Sequence, residues 1–214
     1  MMLRITGPPE LYEEARAAGM QFWEQLQSYA IRNPMFQSSK RPIYVPQDAP
    51  RMVQRMAELS MRAGVGPMFT YRGALTEYVG RIVARSVPEL FVTCGADHFV
   101  VAKKRAKLSV HRAAASGHGG LAVVVKPELG AHGIHSSIGG GSSSESPDDG
   151  VVVVATSCIL ADAAAAGAGA ILAKRRRGSI RTALSYLGGL EGVHGAIVVR
   201  GERIGVAGGL ELAA

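Results

Sequence analysis

Long apolar runs are missing from this chain. Nowhere do the roughly 18 to 20 uninterrupted apolar residues of a membrane span occur. The opening MMLRITGPPELYEEA has neither the charged n-region nor the apolar h-region of a signal peptide, so a cytoplasmic location without a membrane partner is expected. Cysteine is scarce. Cys94 and Cys158 are too few for a disulfide framework or a complete zinc site, and they read as small core residues in a reducing compartment. Aromatic residues make up only 6% of the sequence, and none interleave with the basic runs KKRAK (103–107) and KRRR (174–177). The stacking platforms that hold single-stranded nucleic acid are therefore absent from those runs, and nucleic acid is not an expected partner despite a net charge of +7. No GxGxxG or GxxxxGK[ST] loop is present, which removes support for the common dinucleotide and P-loop folds.

What is present describes an ordinary globular chain, with 47% hydrophobic and 19% charged residues over 214 positions. The expected organisation is a single domain, 1–214. Residues 1–50 form an N-terminal helix and a Pro-rich connector, and 51–214 form the core. Pro8-Pro9-Glu10 opens a helix in which Leu11, Ala15, Phe22, Leu26 and Tyr29 recur near helical spacing. Asn33-Pro34 ends it, and Pro34, Pro42, Pro46 and Pro50 predict an extended connector. Asp48 reads as the cap of a second helix, and Met68–Ser86 as a third. From Leu90 the period changes: LFVTC, FVVAK, LAVVVK and VVVVAT are short β-rich runs, of which the two Val-rich ones are apolar throughout and belong in the middle of a sheet. Ile159–Ala173 returns to helix, ending in Lys174 to Arg177 and Gly178. A short helix near Ile180–Leu187 precedes a hairpin whose turn is Gly201-Glu202. Helices first, then strands, then helices and a hairpin predict α+β with a largely antiparallel sheet.

Three segments combine glycine with polar residues beyond what packing demands. In AGVGPMFTYRGALTE, Gly66 places a turn before a helix N-terminus, which reads either as a simple interhelix turn or as an anion cradle. In VTCGADHFV, Gly95 allows a tight turn or close approach to a ligand, and Asp97 either satisfies local N–H groups or accepts hydrogen bonds from a heterocycle or ribose. In GAHGIHSSIGGGSSSESPDDG, a linker explains the Gly and Ser but not His132 and His135. The alternative is a loop whose Ser136, Ser137 and Gly139 donate to phosphate, with His135 moving a proton. The histidines show no recognisable zinc spacing. Asp162 is a fourth anomaly, the one carboxylate in the Ala- and Gly-rich run 156–173. It is either an acid held by N–H groups near a helix start or a ligand.

In order, AGVGPMFTYRGALTEYVG, CGADH, HGIHSSIGGGSSSESPDDGVVVVA and ILADAAAAGAGAIL resemble the ApbE-like superfamily, and most of all its short branch. The resemblance covers roughly residues 60 to 207. It implies a T-fold-related α+β architecture with a largely antiparallel sheet, helices on one face and an N-terminal helical extension. It also implies flavin chemistry, since full-length members are Mg²⁺-dependent enzymes that split FAD and attach FMN to a threonine of a target protein. Carried over residue by residue, the family's Gly-Gly-Asp turn falls on Gly95-Ala96-Asp97. Its metal-binding Ala-Asp-Ala falls on Ala161-Asp162-Ala163, and the metal-binding Thr four residues later is Ala166 here. A methyl group cannot ligate a hard cation.

Two readings follow from the resemblance. In one, the chain binds a flavin, pterin or similar nucleotide or heterocycle without transferring it. In the other it is a Mg²⁺-dependent FMN transferase or FAD pyrophosphate-cleaving enzyme, with Asp162 and Asp149 holding the metal and His135 as base. The cofactors implied are FAD or FMN and Mg²⁺, and relatives of this fold suggest a homodimer formed through sheet edges.

Overall fold

The computed structural model describes residues 2–111, 121–138, 149–174 and 178–213. The run Arg175 to Arg177, together with Gly139 and Asp148, lies outside the described residues. Helices come first after a short strand: β1 (Leu3–Thr6), α1 (Leu11–Arg32), α2 (Pro34–Ser38), α3 (Arg51–Arg62) and α4 (Tyr71–Val83), the last entered through a 3₁₀ turn at Pro67–Thr70. Strands β2 (Leu90–Cys94), β3 (Asp97–Val101), β4 (Ala106–His111), β5 (Leu121–Val125), β6 (His132–Ser136) and β7 (Asp149–Ala155) follow. Helices α5 (Cys158–Ala173) and α6 (Ser179–Gly188) come next, and then strands β8 (Val193–Arg200), β9 (Arg203–Gly208) and β10 (Leu212–Ala213).

Among the described residues the strands form two antiparallel sheets. One has seven strands in the order β1-β2-β3-β6-β7-β8-β9, and the other has three, β10-β5-β4. The α+β class and the antiparallel sheet agree with the expectation from sequence. Helices α4, α5 and α6 cover one face of the large sheet, with α1 packed on α4 and α3 on α5. The small sheet lies over the opposite face, a layer that the sequence pattern does not define.

Strand β7 shows why a run of valines needs two covering layers. Val151, Val153 and Ala155 point into the core shared with the helices. Val152 and Val154 point the other way, into a second core with Val123, Val125, Ile134 and Ile197. A strand buried on both faces has no polar face to alternate with, so the sequence reads as solid valine. Each of those valine and isoleucine side chains contributes about 1.5–3 kcal/mol by leaving water.

Helix α5 is likewise apolar around most of its circumference, as a buried helix must be. Ser157 starts it, its side chain accepting from the N–H groups of Ile159 and Leu160. Small residues let its first turn come down onto β6. A Cβ on Gly133 would stand 2.2 Å from the Cys158 nitrogen, and one on Gly73 of α4 would stand 2.4 Å from the Cys158 carbonyl oxygen.

Several local expectations change. The connector contains the short helix α2, which begins at Pro34 because proline suits the first helical position. Helix α3 starts after Pro50 rather than at Asp48, and Gln54 holds the preceding turn through the carbonyls of Gln47 and Ala49. The segment around His135 is a strand in the middle of the large sheet rather than a loop. Strand β1 adds an edge to the sheet that the sequence pattern does not announce. The turn at Gly201-Glu202 is as expected, closed by the pair Arg200 and Arg203 with Gly201 at φ 55°.

Two glycines on these packed elements make opposite predictions. Gly133→Ala forces backbone apart and should destabilise by about 1–3 kcal/mol or more. Gly169→Ala, in α5 with nothing within 4 Å of the new methyl group, should stabilise by about 0.5–1 kcal/mol. Urea unfolding of both variants checks the pair; equal effects would contradict the close approach of α5 to β6.

Candidate functional site

Three of the residues singled out from sequence converge. The turn Gly95-Ala96 joins β2 to β3, with Gly95 at φ 63°, and delivers Asp97 as the first residue of β3. Asp97 is the register partner of His135 on β6. Both face the helices, where Asp162 descends from the second turn of α5. One potential ligand atom from each of Asp97, His135 and Asp162 lies within 4.8 Å of the others, and all three residues are buried.

The contacts inside the cluster are few. His135 Nδ1 is hydrogen-bonded to Asp97 Oδ1 at 2.9 Å and lies 3.5 Å from Asp162 Oδ1. Asp162 Oδ2 accepts the Gly73 backbone N–H at 3.0 Å, so the first turn of α4 contributes a donor. Asp97 Oδ2 and His135 Nε2 are buried without a partner among the described residues. Orphaned buried polar atoms are costly and rare, and two in one cluster mark a place built for something else.

Protonation follows from that crowding. Burial, and then the negative charge of Asp97, push Asp162 from its ordinary 3.8 up to about 8, against the opposing pull of His135, the Gly73 N–H and Arg72. Burial alone would lower His135, but the charge and hydrogen bond of Asp97 outweigh it and its pKa is raised. Near neutral pH the cluster therefore retains protons that a cation would displace.

An ion-pair network centred on a buried carboxylate orders the elements around the cluster. Glu77 of α4 is fully buried, and Oε1 accepts from Arg81 at 2.8 Å and from Arg55 at 3.3 Å. Its Oε2 takes a short hydrogen bond from Ser157, the cap of α5. Sequence reasoning does not single out Glu77, because on an amphipathic helix it resembles any surface acid.

Other residues that the sequence marks as candidates lie apart from the cluster. Asp149 stands at the far end of β7, where its Oδ1 accepts the Gly201 N–H in the β8–β9 turn at 3.1 Å. It pairs in register with Arg200, whereas Val153 pairs with His135. Four residues of strand separate the two positions, about 13 Å, so Asp149 does not join Asp162 as a ligand. Ser137 exchanges hydrogen bonds with the Val151 backbone through its hydroxyl, which extends the β6–β7 pairing and leaves it committed there. The Ser136 N–H goes to the Ala96 carbonyl at 2.8 Å. Gly66 donates its N–H to the Lys40 carbonyl, and a Cβ there would overlap the Ser39 carbonyl, so it seats the connector. Gly95 remains beside the cluster, with the Arg72 side chain 3.6 Å from the position of its missing Cβ.

A groove of about 1000 Å³ opens between β1 and α1. Tyr12, Trp23 and Tyr71 supply aromatic faces, and Arg4 and Arg16 supply positive charge. Tyr71 precedes Gly73 by two residues, and Leu3 pairs with Cys94 at the start of the turn to Asp97. Groove and cluster thus flank the same N-terminus of α4.

Fold and site together define an α+β protein with a buried carboxylate–imidazole cluster under a helix N-terminus. The chain belongs to the family described as AbpE bacteria, which matches residues 1–185. A UPF0280 protein from Methanococcus maripaludis (strain C5) is 33% identical over 79 residues, 37% of this chain and 32% of that protein. A UPF0280 protein from Methanosphaerula palustris is 28% identical over 126 residues, 58% of this chain and 53% of that protein. The matched segments thus span about a third to a half of these relatives' lengths. Among solved structures, a mutant of the flavin transferase ApbE from Vibrio cholerae aligns over 98% of this chain and 75% of its own, with 12% identity and a TM-score of 0.38. No helix of the described residues is long and apolar enough to cross a membrane.

The raised pKa values fix the sign of a pH effect. Asp162 in the folded chain holds its proton up to about 8, whereas unfolded it releases it near 3.8. The raised His135 acts in the same direction above its ordinary 6.5. The folded state therefore binds more protons across that window, and metal-free stability should fall as pH rises from 5 to 8. Asp162→Asn should flatten the slope and raise the melting temperature most at pH 8. An unchanged slope in the variant would contradict the assignment.

Proposed function

We propose that Asp97, His135 and Asp162 hold a divalent cation and that the adjoining groove takes a flavin-type heterocycle or related nucleotide. The observation that carries this reading is the buried convergence of three ligating side chains within 4.8 Å, two of them with an unpartnered atom. Two carboxylates and an imidazole are a suitable donor set for a divalent ion. The oxygens suit Mg²⁺, and the ring nitrogen suits Mn²⁺ or Zn²⁺ better. A cation there would supply a positive centre for a pyrophosphate next to the groove.

The groove matches the other part of such a ligand. Its volume is at the upper end of small-molecule sites, roughly 300–1000 Å³. Trp23 meets Tyr71 edge-to-face, with ring centroids 6.2 Å apart and planes at 78°, and its half-exposed indole offers a face on which a planar heterocycle stacks. Arg4 would meet phosphate charge, whereas Arg16 already pairs with Glu13 at 3.2 Å.

Binding without transfer is the first reading, and Ala166 is the reason. At the place where the resemblance implies a Thr ligand, Ala166 packs with Ala63, Val65 and Ala163 in a small apolar cluster. The second reading, a Mg²⁺-dependent FMN transferase or FAD pyrophosphate-cleaving enzyme, draws on the family membership and on His135 as a proton carrier beside the cluster.

Titration calorimetry with Mg²⁺, Mn²⁺ and FAD separates these outcomes. Binding of Mn²⁺ or Mg²⁺ should release protons near neutral pH and be lost in Asp162→Ala and Asp97→Ala. FAD should bind with quenching of its fluorescence, and Trp23→Ala should weaken it about tenfold while leaving cation affinity unchanged. FMN or AMP released on prolonged incubation selects the enzyme reading. Absence of both cation and FAD binding in the folded protein would refute the proposal.

A further inference from the structure

The large sheet carries a second polar feature on its opposite face. Between that face and the small sheet lies a cavity of about 240 Å³, walled by Val123, Val125, Ile134, Val154 and Leu210. Into this apolar enclosure come two histidines, His132 from β6 and His194 from β8. The Nε2 atoms of both are buried and have no hydrogen-bond partner among the described residues. His132 as a whole is only 1% exposed. An apolar wall explains itself, but two unpartnered imidazole nitrogens do not.

The state of His132 is set by its other nitrogen. Nδ1 lies 2.8 Å from the Gly130 carbonyl oxygen, which can only accept, so Nδ1 carries the proton. Burial, and also the nearby His194, lower the His132 pKa against the help of that carbonyl, which keeps the ring neutral. Its Nε2 therefore presents a lone pair to the cavity. The occupant it calls for is a hydrogen-bond donor.

Charge at the margin narrows the class. Glu211, which also lines the cavity, is already engaged by Arg105 and by Lys126, the latter at 3.6 Å. It does not complete a three-ligand group with the two histidines, and Lys126 adds a positive charge that repels a cation. An anion gains nothing from an imidazole lone pair. A neutral molecule remains. For scale, a dry apolar cavity of about 150 Å³ accommodates benzene, so this one has room for a fused pair of rings.

We propose that this cavity is a second binding site, separate from the Asp97–His135–Asp162 cluster, for a small neutral ring compound that donates an N–H or O–H to His132 Nε2. The site lies on the other side of the sheet and its occupancy does not depend on the cation cluster.

Indole and its carbocyclic counterpart indene are the probes, tested by thermal shift and by ¹⁵N NMR of the histidine rings in both the native and Asp162→Asn proteins. Indole should raise the melting temperature in both, move the His132 Nε2 resonance, and bind about tenfold more tightly than indene. His132→Phe should abolish the preference for indole. Should that variant fail to fold, His194→Phe and the His132 resonance in the native chain carry the decision. Equal binding of indole and indene, or no response at saturating indole, overturns the proposal. So does a melting shift given by Zn²⁺ and not by indole in Asp162→Asn protein.

Discussion

Everything at the Asp97–His135–Asp162 cluster depends on how α4 meets the first turn of α5, and that meeting is held by a carboxylate with no access to solvent. Glu77 would be strongly disfavoured as a lone buried ion. Two arginines, Arg55 from α3 and Arg81 from its own helix, approach one oxygen, and the Ser157 hydroxyl binds the other. Ser157 in turn caps α5. Three helices are thus tied at one point, where a buried carboxylate is met by two arginines whose outer ends reach solvent, so that removing one arginine still leaves the other and the Ser157 hydroxyl to hold the charge. Asp162 sits one turn beyond that point. Its position is inherited from the cap, since five residues of helix from Ser157 to Asp162 leave little rotational freedom.

Close approach is the second requirement. Gly73 and Gly133 lie on either side of Cys158, from α4 and from β6, and neither tolerates a side chain. The same absence of Cβ that brings the backbones together exposes the Gly73 N–H to Asp162 and brings α5 down over His135. Packing and chemistry therefore use the same glycines. In a site assembled in this way the two atoms without partners, Asp97 Oδ2 and His135 Nε2, are closed off from solvent.

Much of this is legible in the sequence, for reasons that can be stated residue by residue. Asp162 stands out because an acid in an Ala-rich run is chemically conspicuous, and Asp97 because it follows a glycine turn between two apolar strands. His135 shows as polar excess in a segment that reads as a loop. Its glycines and serines disguise a strand whose neighbours on both sides are β-structure. Proximity along the chain is the misleading signal. Asp149 looks near the cluster because it follows the His135 segment, yet an antiparallel pairing carries it to the far end of β7. Glu77 and the histidine pair are invisible for the complementary reason. The contact of Glu77 with Ser157 spans 80 residues, and His132 and His194 come from strands on either side of β7.

The tetrapeptide His132-Gly133-Ile134-His135 shows how one strand serves two compartments. Side chains three apart in a strand point to opposite faces, so the two histidines cannot share a site. His135 turns to the helices and meets two carboxylates, which raise its affinity for a proton. His132 turns to the small sheet and meets valines and a carbonyl, and burial there lowers it. Identical side chains thus acquire opposite protonation tendencies from the layers that cover them. The small sheet is what makes the second environment, because without that cover His132 would be a solvated residue on an open face. Covering both faces of the large sheet accounts for the solid valine of β7, and it also accounts for the two separate polar pockets on either side of β6.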